Sequence, residues 1–266
     1  METNYIRVTA KGSILKSILL VIVLGAIFLT AVGMINLNFE TFFERVKNTP
    51  DVLKNMMAIE LAIIPTALLE IITSLSLAFL ALIVGVVLSL FLSFLAASNI
   101  APNLILANFI KGFFAIIRSI PSLVWGLMVI ASLGFGNTSG FIAMLFPAVG
   151  YLVKMFTGSI EDVGGDVIEA MRATGASWFN IIYHGLLPLC ITSFVAWITV
   201  RFEGNISESI SLGIIGVGGI GLLLTQAIST YNYAQTTTIV IMICSLMLVI
   251  EFLMTRIKNK ITFGNR

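Results

Sequence analysis

The sequence predicts an all-α membrane protein of about six transmembrane helices. Three observations predict it. Of 266 residues, 58% are hydrophobic and only 11% are charged, where an ordinary soluble domain carries about 25% charged residues. The mean hydropathy is +1.06 for a 28.8 kDa chain, more apolar surface than a core of that size can hide from water. The apolar residues also fall into six runs that meet or approach about 20 residues, the length that crosses roughly 30 Å of hydrocarbon. A soluble enzyme, a disordered chain and a nucleic-acid-binding domain are excluded on the same grounds.

The first run, Ile14–Ile35, follows Arg7, Lys11 and Lys16. It is longer than the roughly 7–15 residues of a signal-peptide core, and no small-x-small cleavage site follows, so it reads as a retained span. The other runs are Ile71–Ala97, Phe113–Leu133, Phe141–Phe156, Leu186–Val200 and Thr236–Met254. The third begins as an interfacial helix around Leu104–Lys111 and enters the bilayer near Phe114. Basic residues set the orientation. Arg7, Lys11 and Lys16 at one end, and Arg256, Lys258, Lys260 and Arg266 at the other, place both termini in the cytoplasm. Six spans satisfy that. The loop Asn36–Glu70 is more acidic than basic, which suits the outer side. The expected organisation is an N-terminal tail, first span and outer loop over 1–66, a core over 67–256 with a long loop at 161–188, and a C-terminal tail over 257–266.

Pro121 and Pro147 fall in or beside spans three and four and read as kinks, either structural or shaping a pathway. Pro188 lies in the first turn of span five, where its missing N–H costs nothing. Cys190 and Cys244 sit in apolar runs and read as small buried hydrophobes. With one histidine, His184, and no CxxC, no metal site is expected.

The stretch from Glu161 to Pro188, EDVGGDVIEAMRATGASWFNIIYHGLLP, is the most informative. Asp166 and Glu169 have capping-box spacing, with Asp166 as the cap. Gly175 is a helix stop, and Ser177 can cap a second short helix. The expectation is helix, glycine bend, helix, then span five. Small Ala170, Ala173 and Ala176 alternate with bulky Met171, Trp178 and Phe179. That mixture suits either a docking surface, where aromatics anchor in pockets, or a helix pair packed on the ends of its own bundle.

Span five carries charges. A charge at mid-bilayer costs about 2.5–3.5 kcal/mol on insertion scales, so such groups face protein or water. Arg201, Asn205 and Glu208 share one helix face, and Glu203 points elsewhere. Lining of a path, a structural ion pair, and the outer end of the span are the three readings. Arg118, with Ser119 and Ser122, begins span three and either marks the cytoplasmic interface or lines that path. Glu251 is placed to pair with Arg256 or Lys258. Gly216, Gly218, Gly219 and Gly221 formally match G-x-G-x-x-G, but no βαβ unit surrounds them, so a dinucleotide fingerprint fails. They read instead as a turn within the bundle or at its rim, with gating by this loop as a hypothesis. The dipeptide Gly-Lys never occurs, so the chain has no P-loop for nucleotide phosphates. No nucleophile–base pair stands out either, and no catalytic residue is assigned.

Glu169-Ala170, Gly175 and Leu187-Pro188 resemble the EAA loop of ABC-importer permeases, with departures at Met171, usually alanine, and Gly185, usually isoleucine. Arg118-Ser-Ile-Pro121-Ser-Leu-Val-Trp125, Arg172-Ala-Thr-Gly175-Ala-Ser177, Arg201-Phe-Glu203-Gly-Asn205 and Leu212-Gly-Ile-Ile-Gly216-Val-Gly218-Gly219-Ile-Gly221 resemble the phosphonate-transporter permease subfamily. That resemblance runs from about Glu70 to the C-terminus. It implies a type I importer permease in a bacterial plasma membrane, carrying a phosphonate or a related oxyanion such as phosphite. It also implies a second permease copy, two ATPase subunits that hold ATP and Mg²⁺, and an extracytoplasmic binding protein, with no cofactor in this chain. Asp166, Glu169, Ala170, Arg172, Gly175 and Ala176 would contact the ATPase. The subfamily's arginine shortly after Asn205 is replaced here by Ile206-Ser207-Glu208-Ser209, which leaves the exact substrate open. Related permeases for methionine or quaternary amines are the runner-up. An ion-driven carrier would show repeats and midplane ion ligands, and none is clear. An intramembrane lipid enzyme would have only Arg201, Glu203 and Glu208 to work with.

Overall fold

The computed structural model describes residues 13–35, 39–47 and 49–263. Arg7, Lys11 and Arg266 lie outside them. All regular elements among the described residues are helical. The chain divides into two compact units, residues 1–54 and 55–266. The first holds α1 (Ser13–Ile35), α2 (Phe39–Lys47) and most of α3 (Thr49–Met56). α1 is long and apolar enough to cross a membrane. α2 and α3 each carry an acid in the first turn and a base in the last, as the helix dipole favours.

The second unit is a bundle. A 3₁₀ turn, Leu61–Ile63, leads into α4 (Ile64–Ala96), followed by α5 (Leu104–Ser119), α6 (Ser122–Leu133), α7 (Asn137–Glu161) and α8 (Gly165–Ala173). A single turn α9 (Trp178–Asn180) and a π turn, Ile181–Leu186, run into α10 (Leu187–Ile214), then α11 (Ile220–Ser229) and α12 (Tyr233–Phe263). α4 is the central post. Its buried positions Ala67, Ile71, Ser74, Ala78, Ala81, Gly85 and Ser89 repeat every three or four residues, and all but Ile71 are small. Lipid offers no hydrophobic drive between helices, so close packing of small residues carries the association. At Gly85 an added Cβ would already touch the Ala148 Cβ at 3.4 Å. One core cluster gathers Phe94, Phe156 and Phe194, with Phe156 and Phe194 ring centroids 4.5 Å apart. A second gathers Ala78, Met144, Ile206, Leu212 and Val217.

Among the described residues five helices are long and apolar enough to span, or six spans result when α5 and α6 count as one bent span. The six expected runs thus all have counterparts, but with different ends. α4 begins at Ile64, α7 and α12 extend past their apolar runs at both ends, and α10 continues fourteen residues beyond Val200. The helix continues because backbone N–H and C=O groups near a membrane must stay paired even where side chains turn polar. The third span differs most. α5 runs unbroken through Phe114, and the 88° bend falls between Ser119 and Ser122. Pro121 is the cause: it forces Ile120 out of the helical region, to φ −88° and ψ 122°. Trp125 steadies the corner by donating Nε1–H to the Ile117 carbonyl at 3.2 Å. Pro147, in contrast, lies inside an unbroken α7. α11 was not expected at all. Glu251 forms no ion pair among the described residues; Arg256 lies instead over the Phe252 ring, 4.5 Å from its centroid.

Candidate functional site

The segment that follows α7 is tied down before it projects. The Ser98 N–H and Lys111 Nζ both donate to Glu161 Oε1, at 2.8 and 2.5 Å, and Asn99 Nδ2 donates to the Ile160 carbonyl at 2.8 Å. α8 then starts earlier than the expected capping box allows. Its N-cap is Gly164, with no side-chain cap, which puts Asp166 inside the first turn. The flexible Gly164-Gly165 pair lets the helix nucleate upstream, so the Asp166 carboxylate complements the dipole rather than capping an N–H. Only Ile168 of α8 is buried; Asp166, Glu169, Ala170 and Arg172 are exposed.

The helix ends as expected at Gly175, with φ +79°. The Ala176 N–H donates to the Met171 carbonyl at 3.1 Å, and the Gly175 N–H donates to that of Arg172 at 2.9 Å. Those two bonds are a Schellman motif, which closes the orphan carbonyls of the last turn. Gly175 is exposed and Ala176 half-buried. Ser177 caps the next turn by accepting from the Asn180 N–H at 3.4 Å. The bulky residues then separate. Trp178 donates Nε1–H to the Ile100 carbonyl at 2.9 Å and packs on the first core cluster, as does Met171. Phe179 stands 74% exposed. Both readings of the mixture thus apply, to different residues. Instead of a separate second helix, α9, the π turn and α10 make one continuous stretch, Trp178–Ile214.

The two departures from the EAA pattern meet in space. A Cβ on Gly185 would lie 2.5 Å from Met171 Sδ. The larger side chain at 171 occupies the room that the missing one at 185 leaves.

On α10, Arg201, Asn205 and Glu208 do share a face. Arg201 Nη2 and Glu208 Oε2 pair at 2.6 Å, two turns apart. Arg201 is 8% exposed and also lies over the Tyr151 ring of α7, at 5.8 Å. Asn205, fully buried, donates Nδ2–H to the Ala78 carbonyl at 3.1 Å. Within one chain this geometry is that of an internal ion pair. Glu203 is half-buried on another side and has no ion-pair partner among the described residues. Arg118 is exposed at the end of α5, and its stem crosses α7 at Gly150, where a Cβ would come 2.8 Å from Cγ. Gly150 is the fourteenth of the 25 residues of α7. Ser119 bonds back to the Ile116 carbonyl at 2.7 Å, and Ser122 opens α6 beyond the bend.

The glycine stretch is a tight turn between α10 and α11. Gly216, Gly218 and Gly219 have φ of +98°, +120° and +73°, values that exact a steric cost from any residue with a Cβ. Its close is fixed to α4, where Ser74 Oγ accepts from the Ile220 N–H at 3.1 Å. Gly213 and Gly221 let α10 and α11 touch by backbone, since a Cβ on Gly213 would lie 2.8 Å from the Gly221 Cα. Among the described residues no group of His, Cys, Asp and Glu could hold a metal.

A family model described as the binding-protein-dependent transport system inner membrane component matches residues 89–263. The phosphate-import permease protein of Mycolicibacterium smegmatis is 30% identical over 178 residues, 67% of this chain and 34% of that protein. A phosphite transport system permease protein of Stutzerimonas stutzeri is 31% identical over 168 residues, 63% of this chain and 61% of that protein. The chain therefore spans less than two thirds of the length of these relatives. A glycine betaine/proline betaine permease of Escherichia coli is 24% identical over 131 residues, 49% of this chain and 37% of that protein. Among solved structures, an inward-facing MetNI methionine ABC transporter superposes with a TM-score of 0.68 at 21% identity, covering 76% of this chain and 99% of that one. At that identity the likeness is one of fold. The family match takes in most of the chain, including the bend at Pro121, the loop after α7 and all of α10 to α12, and on it the chain belongs to the binding-protein-dependent transport system inner membrane components.

Proposed function

We propose that the chain is the permease subunit of an ATP-driven ABC importer, forming the translocation path for a phosphonate or a related oxyanion such as phosphite. The observation that carries the reading is the loop after α7, in a chain of this family. A short helix bearing Glu169, Ala170 and Arg172 on its open side is closed by a Schellman turn at Gly175 and rooted by Trp178 and Ile168. Rooted so, it can pass force from an ATPase on another polypeptide, which holds ATP and Mg²⁺, into the bundle. Asp166, Glu169, Ala170, Arg172, Gly175 and Ala176 form that contact. Two permease copies frame the path, and rocking of the bundles alternates access. An extracytoplasmic binding protein delivers the cargo. Arg118, Ser119, Ser122, Arg201, Glu203, Asn205 and Glu208 form the polar part of the path, and Gly216, Gly218, Gly219 and Gly221 its gating loop. Both termini are cytoplasmic. The relatives named for phosphate and phosphite support the oxyanion cargo. The alternative cargo, a quaternary amine or methionine, has the weaker betaine match behind it.

Gly175→Arg tests the coupling role. A side chain at φ +79° strains the turn and pushes a charge into the contact. The variant should reach the membrane but neither retain the ATPase on copurification nor support uptake. Intact uptake and retention would refute the role. For the cargo, phosphite or a phosphonate should stabilise the partner binding protein against heat. Stabilisation by methionine or betaine alone would overturn the oxyanion.

A further inference from the structure

A cleft of about 320 Å³ opens between α5 and α7. One face of α5 supplies Lys111 and Arg118, and one face of α7 supplies Lys154, Thr157 and Glu161. Lys111 is neutralised within the cleft by Glu161 and also donates to Ser98 Oγ at 2.6 Å. Arg118 and Lys154 have no ion-pair partner among the described residues. Thr157 is 4% exposed, and its hydroxyl has no hydrogen-bond partner among the described residues. Two uncompensated cations and an orphan hydroxyl therefore face one cavity. Phe114 and Val153 wall it with apolar surface, which lowers the local dielectric and strengthens any pairing there.

Depth makes the charges informative. α7 has 25 residues, about 37 Å at roughly 1.5 Å per residue, so both ends clear a hydrocarbon layer of roughly 30 Å. Gly150, against which the Arg118 stem lies, is the fourteenth of those 25 residues. Lys154 is one turn further along. A lysine or arginine at such depth is costly unless it meets water or a counter-charge, and the chain's own acid in the cleft is already taken.

We propose that this cleft binds a phosphorus oxyanion, held by Arg118 and Lys154 with the Thr157 hydroxyl as a further donor. An arginine fork matches the oxygens of a tetrahedral anion, and a lysine adds a point charge. The anion has two sources with the same chemistry: a free phosphite or phosphonate, or the phosphate of an anionic lipid whose tails lie along α5. The free source rests on the import proposed above; the lipid source does not.

The full chain is reconstituted in phosphatidylcholine nanodiscs. Binding of phosphite and methylphosphonate is read by phosphorus NMR line broadening, and retention of added phosphatidylglycerol by native mass spectrometry. At least one probe should bind. Arg118→Gln with Lys154→Gln should weaken that binding at least tenfold, Thr157→Val several-fold, and Arg118→Lys should recover part of the loss. Arg118 and Lys154 are exposed, so replacing them keeps the bundle intact, and Thr157→Val is close to isosteric; a monodisperse elution profile checks each variant. Phosphatidylglycerol alone identifies a lipid site, and the free anions alone a station on the path. Failure of every probe to bind, or binding within twofold of wild type in the double variant, overturns the proposal. Binding that persists in a chain unable to drive uptake counts against the import reading and leaves the cleft assignment standing.

Discussion

Met171 and Gly185 give the sharpest test of how the loop after α7 is seated. Gly185→Ile places the residue usual in EAA loops against a methionine that is unusual there. The new Cβ would lie 2.5 Å from Met171 Sδ and 3.7 Å from its Cε. Apolar heavy atoms ordinarily approach to about 3.5–4.0 Å, so the sulfur must retreat by more than 1 Å. Methionine is flexible and can move, but Met171 is packed on the cluster of Phe156, Ile168 and Leu186. Overpacking of this kind costs about 1–3 kcal/mol. Removing a mid-helix glycine returns about 0.5 kcal/mol, leaving a net loss of about 0.5–2.5 kcal/mol. Met171→Ala alone empties part of the same space and also destabilises. Together the two changes restore the usual pairing, and the double variant should be more stable than the sum of the singles by at least ~1 kcal/mol, within the range for residues in contact. The assay is thermal or denaturant unfolding of the four proteins in detergent. Additivity within about 0.3–0.5 kcal/mol would refute the reasoning and leave the two departures unrelated.

The buried pair on α10 should respond asymmetrically. Glu208→Ala strands Arg201, itself 8% exposed, and should cost about 3 kcal/mol, the low end for a broken buried pair, because the Glu208 side chain retains 21% exposure. Arg201→Met with Glu208→Leu should recover most of that in the same melting assay. At the loop, Ser177→Ala removes a cap and should cost about 1 kcal/mol, with faster amide exchange at Asn180, whereas Asp166→Ala should cost only a few tenths of a kcal/mol from the lost dipole term. The opposite order would restore the Asp166 capping box.

Hydropathy made the spans legible because lipid enforces composition along the whole of a crossing helix. It misplaced their ends because composition changes before the backbone does. The Gly175 stop and the Ser177 cap were readable for a different reason: each acts within four residues. Asp166 shows the limit of the same logic. Its spacing to Glu169 was right, but the start of α8 was set by the glycines just upstream. Pro121 is legible as a kink, yet the sequence also suggests an interfacial helix over Leu104–Lys111 that enters the bilayer near Phe114, since apolarity there gives no sign that one helix runs unbroken to Ser119. The small-residue stripe on α4 was a readable signal that went unused. Its period of three and four, read as packing, points to α4 as the post around which α7 and α10 assemble.

Arg201 and Arg118 show what local reading cannot supply. Both are arginines on apolar helices, and both have a path-lining reading in the sequence. Arg201 meets its counter-charge on its own helix, seven residues on, so the ion pair follows from helical periodicity alone. Arg118 faces another helix, and its surroundings depend on which residues of α7 come opposite: Gly150, which admits its stem, then Lys154 and Thr157. Nothing within a turn of Arg118 announces a second cation across a cleft. The same holds for Met171 and Gly185, which touch only because the Schellman turn and the π turn fold the loop back on itself. The contact that pairs Arg201 lies within one helix, whereas the surroundings of Arg118 are set between two, and that difference separates two residues that composition treats alike.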